Sequence, residues 1–165
     1  MPERTEAPTP LQVELRQTVP FRGPAHEAVV GLARSASMLE RAATCLLRPW
    51  GLSLAQFNVL RILRGARPDG LPTLAIRDRM VDPAAAVTRL VDKLVQAGLV
   101  SRERTGADRR QVVCRITEAG LARLAEVDPL VHSVEGAVAE GLSEAELTEL
   151  NRMLAKVRDA VRGAT

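Results

Sequence analysis

Two groups of side chains in this sequence could do chemistry, and both suit binding to a polyanion. Arg102, Arg104, Arg109, Arg110 and Arg115 crowd one short stretch, against only Glu103 and Asp108. Just before them, Ala85, Thr88, Arg89, Asp92, Lys93 and Gln96 recur along one side of a helical pattern. Guanidinium groups neutralise phosphates and can reach guanine edges, while a threonine methyl suits thymine. Bond-making chemistry is poorly supplied. Cys45 and Cys114 are far apart, and His26 and His132 are isolated, so there is no nucleophile–base pair, zinc spacing or disulfide framework. The sequence is therefore not that of an enzyme, and no cofactor or metal is expected.

The elements that must hold these groups can be read around them. Asp82 can cap a helix and Pro83 suits its first position. Val87, Leu90, Val91 and Leu94 follow at 3-4 spacing as a core-facing stripe, and Gly98 can end the helix. The opposite face is polar and begins with small residues, which lets a helix enter a DNA major groove. Residues 99–104 and 111–116 both alternate with a period of two, and Val112, Cys114 and Ile116 share one face. Residues 105–109 between them are turn chemistry, so the stretch reads as a basic hairpin. On its own such a charge run is a solvated edge that discourages strand pairing. Directly after a helix with a small polar outer face, it reads as a wing lying on the phosphate backbone. Upstream, Thr73 caps a short helix reaching about Met80, and Val81-Asp82 turns into the longer one, a helix-turn-helix order. Thr88 and Arg89 are placed to contact bases, and Lys93, a turn further on, to contact phosphate. The plainer reading of Arg89 is a phosphate contact, or a pair with Asp92 on the helix surface.

The rest of the chain supplies the frame. Residues 1–24 hold Pro2, Pro8, Pro10, Pro20 and Pro24 and read as a flexible arm, with a short helical turn within 11–19. Residues 25–48 form a long helix whose Val29, Leu32, Ala33, Ala36, Leu39, Ala43, Leu46 and Leu47 recur at helical spacing. Ser53 and Gln56 make a capping box for a helix over 54–64, with Phe57, Leu60 and Leu63 inward, and 65–71 is a loop. Thr117 caps a helix to about Glu140, in which Pro129 predicts a kink. Ser143 and Glu146 box the start of a last helix over 144–162. Its Leu147, Leu150, Leu154, Val157 and Val161 stripe needs either the chain's own core or a second copy.

At 165 residues the chain is one domain's worth, and its core must be Leu, Val and Ala, because Trp50, Phe21 and Phe57 are the only aromatics. Net charge is +3 with pI near 9.5. Its distribution says more. Residues 77–115 hold nine basic and five acidic groups, whereas 118–165 hold five basic and nine acidic. No apolar run approaches membrane-spanning length and the N-terminus lacks a signal peptide's apolar centre, so a cytoplasmic location is expected.

Five motifs carry a family resemblance: L-x-x-x-Q-F-x-V-L at 52–60, V-T-R-L-V-D-K-L at 87–94, G-L-V at 98–100, D-R-R at 108–110 and R-I-T-E-A-G at 115–120. In order and spacing they resemble the multiple antibiotic resistance regulator (MarR) family of bacterial transcription factors, over about residues 26–162. The resemblance implies a mainly α fold with a small β-hairpin wing, a winged helix-turn-helix over 53–117. It also implies dimerisation helices over 25–48 and 118–165. It implies a homodimeric regulator, a repressor bound to a pseudo-palindromic double-stranded operator and relieved by a small-molecule effector such as an aromatic acid or phenol. By the family's D-x-R wing motif, Arg110 enters a minor groove and Asp108 orients the wing arginines; a surface ion pair is the plainer alternative. The family's ligand pocket maps near Arg48, Trp50, Phe57 and His132, whose ordinary roles are packing for the aromatics and solvent exposure for the others. Some members sense oxidants through cysteine, yet Cys45 does not match their N-terminal placement and Cys114 alternates with packed strand residues. One departure stands out. Val81, Asp82 and Pro83 replace the usual glycine, apolar residue and polar cap, which puts contacts from Ala84 and Ala85 in doubt. The competing reading is a helical dimeric protein-interaction module whose winged unit does not touch DNA. Arg89, Arg109 and Arg110 argue against it, and the salt dependence of DNA binding separates the two.

Overall fold

Local capping decides where most helices start. In the computed structural model, which describes residues 7–104 and 112–164 without the side chain of Arg104, contacts divide the chain into two compact units that meet between Ala42 and Ala43. In the first unit, the Gln12 N–H donates to the Thr9 hydroxyl and the Thr9 N–H donates to the Gln12 carboxamide, a capping box that starts α1 (Pro10–Glu14). It overlaps the stretch 11–19 expected to make a helical turn and begins one residue before it. Leu11 lies against Gly31 of α2 (Pro24–Leu47), and Arg34 of α2 donates to Glu14 at 2.8 Å.

In the second unit, α2 runs out through a 3-10 turn at Arg48–Trp50 into Gly51, whose φ of +66° suits glycine. Ser53 and Gln56 form the expected box and start α3 (Leu54–Gly65), which buries Phe57, Val59, Leu60 and Leu63. Strand β1 (Leu71–Pro72) leads into α4 (Thr73–Arg77), and then come α5 (Val87–Gln96), β2 (Val100–Arg104) and β3 (Val112–Ile116). The three strands form an antiparallel sheet in the order β1-β3-β2, with Leu71 opposite Cys114 and Val100 opposite Ile116. Thr117 accepts from the Gly120 N–H and starts α6 (Glu118–Gly141), and Ser143 with Glu146 starts α7 (Glu144–Ala164). The core sits where α3, α4, α5 and α6 meet the sheet, around Leu60, Leu63, Ile76, Val91, Leu94, Cys114 and Leu124.

Four sequence expectations change. Leu71, expected in a loop, pairs with Cys114, because two residues are too few to show any alternation. Gly70, with φ of +74°, brings β1 so close to β3 that a Cβ there would lie 2.5 Å from the Cys114 carbonyl oxygen. Thr73 is the first residue of α4 instead of its cap; Pro72 holds that position, and the Thr73 hydroxyl lies 3.8 Å from Cys114 Sγ. The helix stops at Arg77, short of Met80. Asp82 caps a turn and not a helix: its side chain accepts from the Ala84 N–H at 2.9 Å, and α5 begins only at Val87. The Ala85 N–H donates to the Asp82 carbonyl at 3.2 Å and the Val87 N–H to the Ala85 carbonyl at 2.8 Å, so the backbone closes a separate turn before the helix starts. Pro129 lies within α6, which continues to Gly141. Among the described residues, no helix is long and apolar enough to cross a membrane.

Candidate DNA interface

Recognition of a groove needs a helix held by its back and free at its front. The back of α5 is its apolar stripe: Val87, Val91 and Leu94 are buried against α3 and the sheet. Its C-terminal end is knotted to the start of α6. Gly98 takes φ of +71°, the Thr117 hydroxyl donates to the Gly98 carbonyl at 2.7 Å, and the Thr117 N–H donates to the Leu99 carbonyl at 3.1 Å. Gly120 then passes so close that a Cβ there would run into the Leu99 carbonyl oxygen. The T-x-x-G spacing at 117–120 therefore has a physical meaning, a cap that also ties down a helix end and a glycine that lets two backbones touch. At the other end, the Val81 N–H donates to the Asn58 carboxamide at 3.0 Å, which fixes the turn to α3.

The front of α5 opens to solvent. Ala86 occupies its cap position with no side-chain hydrogen bond; the Val87 N–H turns back to the Ala85 carbonyl at 2.8 Å, which leaves the Thr88 and Arg89 amides to a ligand or water. An open concavity between α4 and the start of α5 is lined by Ala85, Thr88 and Arg89 and also by Leu74 and Arg77. Thr88 and Arg89 are exposed, and Ala85 is half-buried against the core. Arg89 makes no ion pair among the described residues, because its expected partner Asp92 is taken by Arg102 at 2.5 Å. Lys93 is exposed one turn further along. Sequence reasoning passed over Arg77 as a site residue. Its signal was present in the basic count of residues 77–115, but only the fold brings α4 beside the start of α5.

The wing is partly described. Arg102, assigned to phosphate by its sequence, links β2 to α5 through Asp92, and Arg115 pairs with Glu103 and donates to the Pro68 carbonyl at 3.3 Å. Arg104 contributes its backbone to β2, opposite Val112, and its side chain is outside the described set. Asp108, Arg109 and Arg110 also lie outside the described residues.

The four ligand-pocket candidates differ in their surroundings. Phe57 is buried in the core with the Arg61 guanidinium 5.7 Å from its ring centroid. Trp50 is half-buried and held by Arg123, which donates to the Trp50 carbonyl at 2.7 Å and lies over its ring. Arg48 and His132 are exposed. Cys45 is exposed and Cys114 is fully buried in the middle strand of the sheet.

A model of the MarR family matches residues 50–111, which include α3, α4, α5 and β2 and stop short of β3. The transcriptional repressor YetL of Bacillus subtilis is 33% identical over 104 residues, 63% of this chain and 62% of YetL, so this chain spans under two thirds of that relative. The transcriptional regulator PecS of Dickeya dadantii is 30% identical over 132 residues, 78% of this chain and 79% of PecS. The crystal structure of a MarR transcription factor from Planctomyces limnophilus is 34% identical and superposes with a TM-score of 0.63, covering 82% of this chain and 98% of that one. Its fold is likewise a mostly helical winged helix-turn-helix, and the chain belongs to the MarR family of transcriptional regulators.

Proposed function

We propose that this protein is a homodimeric repressor that reads a pseudo-palindromic operator in double-stranded DNA. One observation carries the reading. Thr88 and Arg89 stand exposed at the uncapped start of α5, in one concavity with Arg77, on a helix whose back is fully packed. Such a helix presents base-reading side chains and free amides together, on the part of the chain that carries the positive surplus. YetL's name as a repressor supports the direction of control. The unit over 53–117 does the reading. The helices over 25–48 and 118–165 supply the dimer, because α7 buries none of its residues and leaves Leu150, Met153, Val157 and Val161 exposed. In the wing, Arg110 enters the flanking minor groove and Asp108 holds the arginines, as the family's D-x-R motif implies.

Selection of bound duplexes from random DNA, followed by a salt titration, tests this. A pseudo-palindrome with half-sites about one helical turn apart and a steep loss of affinity with salt are expected. Binding that is insensitive to salt, or no binding, would leave a protein-interaction module. Effector relief rests on the family resemblance and is tested separately. An aromatic acid or phenol taken up beside Trp50 should change its fluorescence and release the operator, and a panel that changes neither removes the effector from the reading.

A further inference from the structure

Leu74 is 59% exposed although it belongs to a five-residue helix packed on the core. A single exposed leucine needs no explanation by itself. This one is set apart by its surroundings: it shares the α4–α5 concavity with Ala85 and Thr88, and Arg77 and Arg89 line the same concavity. We propose that this apolar patch between cationic side chains reads the C5-methyl group of thymine in the operator's major groove. The inference rests on the DNA-binding reading above and names the base that the site selects.

The thymine methyl is the one apolar group that base edges present in the major groove. An apolar surface flanked by guanidinium groups matches a methyl set between phosphates. A protein partner with an apolar face would have to strip water from both arginines for no return. Leu74 and the Thr88 methyl supply the contact and Ala85 keeps the approach open. Arg89 has no ion pair among the described residues and can meet phosphate or a guanine edge, whereas Arg77, which pairs with the exposed Asp78 at 3.1 Å, must exchange that partner for phosphate.

The experiment uses the full chain and an operator selected from random DNA. Each thymine is replaced in turn by deoxyuridine, which removes the methyl and leaves the hydrogen-bonding edge intact. Burying one methyl group is worth about fourfold in affinity. At one or more thymines in each half-site, the replacement should weaken binding by about fourfold. In Leu74→Ala or Thr88→Ser that loss should vanish, with the salt dependence unchanged. Both side chains are exposed, so neither variant should disturb folding. Indifference to every deoxyuridine, or an undiminished loss in both variants, overturns the thymine assignment while leaving operator binding in place. Absence of any preference for the selected operator over random DNA overturns the DNA-binding reading, and this inference with it.

Discussion

Helices α5 and α7 carry the same kind of message in sequence and meet different fates in the fold. Each has an apolar stripe at 3-4 spacing. In α5 the stripe is sealed, with Val91 and Leu94 at 0% exposure. In α7 it is open, with Leu150 at 38% and Val161 at 58% exposure. Their starts differ in the opposite sense. α7 begins with a complete capping box at Ser143 and Glu146, whereas α5 begins at Ala86 with no side-chain cap. A helix held by its packed face can leave its amides free for a ligand. A helix with little of its own chain to lean on must satisfy its end locally.

The comparison breaks first at the core. Leu94→Ala should cost about 2–5 kcal/mol in urea unfolding, because the cavity it leaves is closed on all sides. Leu150→Ala should cost far less at protein concentrations where the chain is monomeric; equal costs there would mean that both stripes face the same core. Next comes the second copy. Leu150→Glu with Val157→Glu should raise the dimer dissociation constant by about a hundredfold or more, as expected of central interface positions. Sedimentation would then show monomer at micromolar concentration, and the thermal midpoint would lose its dependence on protein concentration. A variant that remains dimeric excludes α7 from the interface.

Arg89→Ala should cost about 1–3 kcal/mol per half-site and alter the preferred base at one position. An equal loss on operator and random DNA would make Arg89 a phosphate ligand. Asp92→Asn is the smaller and more telling change. It removes a negative charge from the DNA-facing side, which simple electrostatics says should tighten binding. If the Asp92–Arg102 pair braces the wing against α5, binding should instead weaken, by no more than about fivefold for a pair this exposed. Tighter binding of operator by Asp92→Asn at moderate salt refutes the brace.

The smallest effect belongs to the cap of α7. Hydrogen bonds from the Ser143 side chain and then its backbone hold the Glu146 carboxyl below its ordinary range. Because the folded value is lowered, this contribution is present above the ordinary carboxylate range and is lost as pH falls through the lowered value. Ser143→Ala should return the Glu146 titration, followed by NMR, towards that of a free glutamate, and an unmoved titration would show that the box does not form in solution.

Much of this was legible in the sequence, because local chemistry decided it. The boxes at Ser53 and Ser143, the cap at Thr117 and the stripe of α5 depend on residues within four of one another. What failed to show depends on distance along the chain. β1 exists only because Gly70 admits the backbone of β3, which lies more than forty residues later in the sequence. Arg77 and Leu74 join the candidate site only because α4 lies against the start of α5. Asp82 reads as a helix cap and serves as a turn cap: its side chain takes the Ala84 N–H and its carbonyl takes the Ala85 N–H, and an aspartate before a proline suits either role. The stripe of α7 was plain, but periodicity says that a face needs a cover and not which molecule provides it.

The close approach at Gly120 also has a mechanical side. α6 has 24 residues and so extends about 36 Å. At its root the Leu99 backbone fills the space where a side chain would stand, and Thr117 is bonded across to Gly98. Such a hinge has no slack: α6 cannot tilt without carrying β2 and the end of α5 along. Close-packed contacts transmit displacement instead of absorbing it. In the dimer proposed above, a few degrees of swing at the far end of this lever would change how far apart the two reading heads sit, and DNA with a fixed pitch would reject a pair whose spacing is wrong.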